Sequence, residues 1–342
     1  MRRPACSPVT RVLAQAIISC ALAGAFSGAA YAQGAQGAAA AYPTRPVTII
    51  IPYSPGSSTE PEVRLYAQKM SEYLGQPFTV DFKGGAGSTL GTAFVAKSAP
   101  DGYTLLQVSS AIVIAPLLYK NLTYEPLRDF IPLSQMSKKA NVIVVAPSFP
   151  AKNLQEFIAY ARANPEKVNF GTSGAGGPQH LAAAWLHSAT NTRVTFIHYK
   201  GGSPGFADLM AGRIDVLTNP LAASIPNIKA GKFRALAVTS QERTSLLPDL
   251  PSVAEQDPSL KDYEYSAIIG IIAPRNVPAP VISKLSANLM KVAKSPDVVQ
   301  KLAGGGAVMI GSTPEEFRKL LVNDTEWFRK LIVENNIKLE ED

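Results

Sequence analysis

The chain has 342 residues, 46% of them hydrophobic and 17% charged, with a formal net charge of +7. Arg2, Arg3 and Arg11 sit in a leader, so the rest carries 7 − 3 = +4, a solubility feature and not a nucleic-acid footprint. Both cysteines, Cys6 and Cys20, fall in the same leader, which excludes disulfides, cysteine metal sites and cysteine nucleophiles from the remainder.

The leader joins these arginines to an apolar run from Val12 to Tyr31 that ends in Ala30-Tyr31-Ala32. A positive start, an apolar middle and an A-x-A end form a secretory signal, read here as residues 1–32 with cleavage after Ala32. A retained membrane anchor is the rival reading, which the small residues and Gln15 weaken. Lipid attachment at Cys20 is a third, for which Ile17-Ile18-Ser19 fits poorly. Cleavage leaves 342 − 32 = 310 residues, enough for two domains stabilised by their cores alone, with no other apolar run long enough to span a bilayer.

After a small-residue leader, Gly34 to Tyr42, the run Val47–Pro52 reads as a strand buried on both faces of a parallel sheet. Gly56 and the hydroxyls Ser57, Ser58 and Thr59 follow. A helix then starts with Thr59 and Glu62 as a T-x-x-E capping box and an apolar stripe of Val63, Tyr66, Ala67, Met70 and Leu74. Phe78–Phe82 is a second strand, leading into Lys83-Gly84-Gly85-Ala86-Gly87-Ser88 and another helix. Tyr103–Ser109 is a third, introduced by the Asp101-Gly102 turn. This alternation predicts an α/β fold with the sheet covered on both faces.

The pattern restarts near Ser137–Asn141. Val142–Val145 is a strand, Leu154–Ala163 a helix, and Val168–Gly171 a strand entering NFGTSGAGGPQHLAAAW, residues 169–185. Glycines there let backbone N–H groups approach a ligand, and the helix from Pro178 adds the positive end of its dipole, so the loop is a ready anion cradle. Thr195–Tyr199, Ile214–Thr218 and Ala235–Thr239 complete a second sheet, with a helix Pro204–Ala211 between the first two. Ile268–Ala273 and helix Val281–Ala293 follow, and Thr313 with Glu316 caps a last helix striped by Phe317, Leu320, Leu321, Trp327 and Leu331. So much regular structure after 265 predicts that the chain crosses back. The expected lobes are 33–140 with 266–342, and 141–265, joined by two crossings that form a hinge. Ligands in such sheets bind beyond the carboxyl ends of strands.

The run PYSPGSSTEPEVR resembles the PxxPGGxxDxxAR signature of the solute-binding proteins of tripartite tricarboxylate transporters, the Bordetella uptake gene type. KGGAGSTLG, APDGYTLL, YEPLRDFIPL, GTSGAGGPQHLAA, HYKGGSPGFADLMAGRID, GKFRALAVTSQERTSLLPDLPSVAE and STPEEF resemble further blocks of that family, in order from Tyr42 onward. The resemblance implies a periplasmic binding protein of type II-like, two-lobe form, acting as a monomer with a membrane permease as partner. It also implies that the loop after the first strand and the loop before the helix of His180 hold a carboxylate, partly through water. Ser57 stands where the family commonly has glycine, Glu60 where it has aspartate, Gly177 where it has serine, and Asn219 where an aspartate often ends a strand.

The expected ligand shell is therefore Tyr53, Ser54, Ser57, Ser58, Thr59, Ser110, Thr172, Ser173, Gly174, Ala175, Gly176, His180, Lys200 and Asn219. Each has a plain structural reading as well: a tight turn at Gly171–Gly177, a helix cap at Thr59, a packed first-turn His180, a solvated Lys200. His198 reads as structural, His187 as a surface residue near a helix end, and Asp215 as a turn partner. Both loops are formally neutral, with Lys83 and Lys200 the nearby cations, which points to a mono- or dicarboxylate, aromatic given Tyr53 as one option, rather than a tricarboxylate. Catalysis is not expected: Gly171-Thr172-Ser173-Gly174 lacks the spacing of a nucleophile elbow and Gly85-Ala86-Gly87 lacks the third dinucleotide glycine. Three histidines at no ligand spacing argue against zinc, so no metal or cofactor is expected. A binding protein feeding a sensor kinase is the alternative function, which neighbouring genes would separate from transport.

Overall fold

The computed structural model describes residues 41–172, 174, 177–199 and 202–334. The leader with its expected cleavage site and both cysteines lie outside the described residues. Ten strands follow in chain order: Val47–Ile51 (β1), Phe78–Phe82 (β2), Thr104–Val108 (β3), Phe130–Val145 (β4), Asn169–Thr172 (β5), Thr195–His198 (β6), Val216–Pro220 (β7), Arg234–Val238 (β8), Ser266–Pro274 (β9) and Ala307–Met309 (β10). The main path is β2-β1-β3-β9-β4-β7-β5-β6, with β10 and β8 added along β4.

β1 runs parallel to both β2 and β3, as its β-branched apolar sequence requires of a strand covered on two sides. Alternate side chains divide between two cores. Ile49 and Ile51 join Tyr66, Met70, Leu285 and Leu289, whereas Ile50 joins Val95, Leu106, Phe317 and Phe328. Helices Glu60–Leu74 and Ala279–Ala293 cover the first face; helices Thr89–Ala96, Ala111–Leu118 and Pro314–Glu334 cover the second. The returning C-terminal segment thus packs on the first sheet, and β9 inserts antiparallel between β3 and β4. The second sheet repeats the plan, with Phe157, Phe170 and Leu186 on one face and Leu209, Leu217 and Phe233 on the other.

β4 belongs to both sheets. Its first half pairs with β9 and β10, its second with β7 and β8. The sequence marked only its last four residues, because Ser134, Gln135, Ser137, Lys138 and Lys139 hide the strand signal where it approaches the crossing. The chain returns at Tyr265, and the fully buried Thr239 clasps the two crossings together. Its Oγ1 accepts from the Asn141 N–H at 2.9 Å and donates to the Tyr265 carbonyl at 2.6 Å.

Three local expectations are corrected. Thr59 caps nothing: its backbone is helical, and Glu62 is turned inward. Glu62 is 1% exposed, takes hydrogen bonds from Tyr66 and Ser137, and lies 2.6 Å from Lys139 Nζ, so a buried helix carboxylate is tied to β4. Glu60 closes the helix entry instead, accepting from the Gly56 N–H at 2.7 Å and pairing with Arg64. His187 is 5% exposed, not a surface residue. It packs on Phe157, Phe170 and Phe196 and bonds Thr192 at 2.7 Å, and burial pushes its imidazole down to about 3. The Thr313–Glu316 capping box is present, with Thr313 N–H to Glu316 at 2.8 Å and the reciprocal bond at 3.2 Å. Asp215, expected as a turn partner, instead ties the entry of β7 to the start of β5, accepting from the Asn169 N–H at 2.8 Å.

Candidate functional site

Two loops leave the carboxyl ends of parallel strands. In the first, β1 runs straight into Tyr53, whose hydroxyl meets Ser109 Oγ at 2.7 Å, and burial raises the phenol above its ordinary range. Ser88 also bonds that hydroxyl, holding a left-handed backbone with φ of 82° in the Gly-rich turn. Ser57 N–H closes back on the Ser54 carbonyl at 3.2 Å, and the Ser57 and Thr59 hydroxyls are 3.4 Å apart. Thr59 in turn reaches Gln107 Oε1 at 3.4 Å, and Gln107 is fully buried with its amide nitrogen unpaired. Gly84 lies under this loop: a Cβ there would sit 2.9 Å from both the Tyr53 carbonyl carbon and the Ser54 nitrogen. Ser54 and Ser58 are exposed, Ser57 and Thr59 half-buried.

The second loop follows β5. Thr172 Oγ1 meets His198 Nδ1 at 2.7 Å, which ties the end of β5 to the end of β6. Gly174 has φ of 150°, a backbone that side chains disfavour, and its carbonyl accepts from the Gly177 N–H at 3.2 Å. Helix Pro178–Ala189 starts with proline in its first turn and no side-chain cap, so its leading N–H groups point along the dipole at the loop. His180, 7% exposed, sits in that first turn with its ring centroid 4.6 Å from that of His198 and 4.7 Å from that of Phe196. Burial, reinforced by His198, pushes its imidazole down to about 4, so it is neutral near pH 7 and serves as a hydrogen-bonding group rather than a cation.

Leu181, next to His180, is fully buried in the cluster of Val108, Ile112 and Ile268. The helix that carries the second loop thus shares a buried core with the end of β3, next to the Ser109 that bonds Tyr53.

Of the expected shell, Ser173, Ala175, Gly176 and Lys200 lie outside the described residues. Asn219 is 3% exposed on β7, opposite Val142. Ser110 lines a separate cavity near the C-terminal helix, and its neighbour Ser109 is the residue that bonds Tyr53. Lys83 turns to Asp81 at 3.2 Å and lies over the Phe94 ring. His198, read from sequence as structural, contacts both Thr172 and His180. Ser88, Gln107 and Ser109 were not singled out. The signal available was the serine pair 109–110 at a strand end and the serine closing KGGAGS.

The family model for the tripartite tricarboxylate transporter family receptor matches residues 63–337. A protein of Pseudomonas sp. (strain P51), named "UPF0065 protein in tcbD-tcbE intergenic region", is 35% identical over 294 residues, covering 86% of this chain and 87% of that one. Among solved structures, R. palustris Rpa4515 with adipate is 30% identical, with TM-score 0.77 over 87% of this chain and 100% of that one. MatC from Rhodopseudomonas palustris with bound malate is 27% identical, with TM-score 0.72 over 85% of this chain and 100% of that one.

Proposed function

The chain belongs to the tripartite tricarboxylate transporter receptor family, and on that footing we propose that it captures a small mono- or dicarboxylate outside the cytoplasm and delivers it to a tripartite permease. Residues 1–32 are its cleaved secretory signal, and no described helix is long and apolar enough to cross a membrane. The lobes are 33–140 with 266–342, and 141–265, with the acid held between the Tyr53–Thr59 loop and the Thr172–His180 loop.

The observation that carries this reading is that the Tyr53–Thr59 and Gly171–Pro178 stretches contain no lysine or arginine. His180 is neutral near pH 7, and Lys83 is engaged by Asp81. Binding then rests on N–H and O–H donors, each worth roughly 1.5–3 kcal/mol to a charged acceptor. Micromolar affinity needs about 8.2 kcal/mol net, after desolvation and lost freedom are subtracted. One loop falls short of that; two loops closing together reach it, and one or two carboxylates are the charge such a donor set can satisfy. Adipate and malate, named with the two Rhodopseudomonas structures, are both dicarboxylates.

The test is a thermal-shift panel of adipate, malate, benzoate and citrate, with native mass spectrometry of the protein as purified. Stabilisation by a mono- or dicarboxylate supports the proposal. Stabilisation by citrate alone overturns the donor-count argument, and release of a chemically altered acid overturns the assignment as a binder.

A further inference from the structure

A cavity of about 570 Å³ lies where the return crossing meets the C-terminal helix. Its size falls within the roughly 300–1,000 Å³ typical of small-molecule sites. Trp185, on helix Pro178–Ala189, and Trp327, on helix Pro314–Glu334, form an apolar corner with ring centroids 4.8 Å apart. Three carboxylates stand around it: Asp262 and Glu264 from the return crossing and Asp324 from the C-terminal helix. Lys138 of β4 is the cation in the wall, and Glu264 holds it at 2.5 Å. With every group ionised the lining carries 1 − 3 = −2.

A further wall residue bears independently on a ligand: Ser266 Oγ is buried with no hydrogen-bond partner among the described residues, and Ser110 and Gln135 line the same hollow. A buried hydroxyl left unanswered is destabilising, so it marks a hollow that favours a polar occupant.

We propose that this cavity is a second binding site that takes an organic monocation, with its ammonium group against Asp324 and Glu264 and its apolar body against the corner that Trp185 and Trp327 form. Carboxylates supply charge-assisted hydrogen bonds, the indole faces favour a cation, and the Gln135 oxygen and Ser110 hydroxyl accept the remaining N–H groups. Burial, with a contribution from Glu264, raises the Asp324 carboxyl to about 7. The charged groups facing it are Glu264, Asp262 and Lys138, and a bound cation favours its ionised form. Amine affinity therefore rises from pH 6 to pH 8. The site is independent of the acid-binding reading, since its walls lie outside both loops described above.

The chain contains two tryptophans, and both line this cavity, so indole emission reports on it directly. The probe is benzylammonium, titrated into the folded protein, with benzyl alcohol as the neutral control. The expected result is a saturable emission change for the amine alone. Asp324→Asn or Glu264→Gln should weaken it about tenfold or more, the scale of one charged hydrogen bond, with the far-ultraviolet dichroism unaltered. A change that does not saturate, that benzyl alcohol reproduces, or that survives both folded variants at unchanged affinity overturns the site.

Discussion

Replacing Gly84 by alanine tests the first loop without touching any group that would contact ligand. The added Cβ would lie 2.9 Å from the Ser54 nitrogen and the Tyr53 carbonyl carbon, where ordinary contact begins at 3.4 Å. Both obstacles are backbone, so the Tyr53–Ser54 peptide must retreat by 3.4 − 2.9, about 0.5 Å. Overpacking of this kind costs roughly 1–3 kcal/mol of stability, which a chain of this size survives. The same displacement lengthens any hydrogen bond from the Ser54 N–H or the neighbouring hydroxyls to a carboxylate. Losing one such bond removes about 1.5–3 kcal/mol, or roughly 10- to 150-fold in Kd. Isothermal titration with whichever acid stabilises the unmodified protein measures it, beside Gly304→Ala, whose Cβ meets nothing within 4 Å and should change neither property. Unaltered affinity in a folded Gly84→Ala protein would show that the Tyr53–Ser54 peptide does not touch the acid.

Stability should fall as the solution is acidified from neutrality. His180 and His187 titrate near 4 and 3 in the folded chain, against about 6.5 unfolded, so their contribution is complete above the unfolded value and is lost as pH falls towards the folded ones. Asp324, raised to about 7, acts with opposite sign over that window, so urea midpoints at pH 7.5 and 5 should differ more in Asp324→Asn; a midpoint independent of pH in that variant refutes the burial argument. Thr239→Val should cost about 1–3 kcal/mol in urea unfolding, because the Asn141 N–H and Tyr265 carbonyl it serves are left buried and unpaired; a loss under 0.5 kcal/mol would mean that water replaces the hydroxyl. Glu62→Gln should cost about 2 kcal/mol, below the ~3–5 of a fully buried pair, since Lys139 keeps a quarter of its side chain in solvent. Denaturant unfolding beside Lys139→Met separates loss of the pair from loss of the Tyr66 and Ser137 hydrogen bonds.

Strands whose neighbours cover both faces were readable in the sequence, because nothing but an apolar run satisfies that position. Phe78–Phe82 and helix Leu154–Ala163 agree with the structure residue for residue. What escaped notice was structure whose local pattern is overruled by tertiary contacts. The polar first half of β4 looks like a loop because its serines and lysines serve Glu62, Glu264 and Ser312 rather than solvent. Thr59 and Glu62 have the spacing of a cap, yet Ser137, Lys139 and Tyr66 offer that carboxylate more than the helix end does. His187 looked like a surface residue because a ring wholly surrounded by phenylalanines from other elements leaves no trace in its own neighbourhood of sequence. Glycine and hydroxyl runs make both loops legible in the sequence, but a hydroxyl's partner is fixed by sheet register, which is why the Ser109 bond to Tyr53 is not.

One covalent axle, Phe130 to Val145, carries four hydrogen-bonded ladders, two in each half of the molecule. Extended backbone resists stretching but yields readily to torsion, so the halves can swivel about it while any sideways slip would shear several ladders at once. Any turn of one half against the other is therefore constrained by the polypeptide itself, before a solute contributes anything.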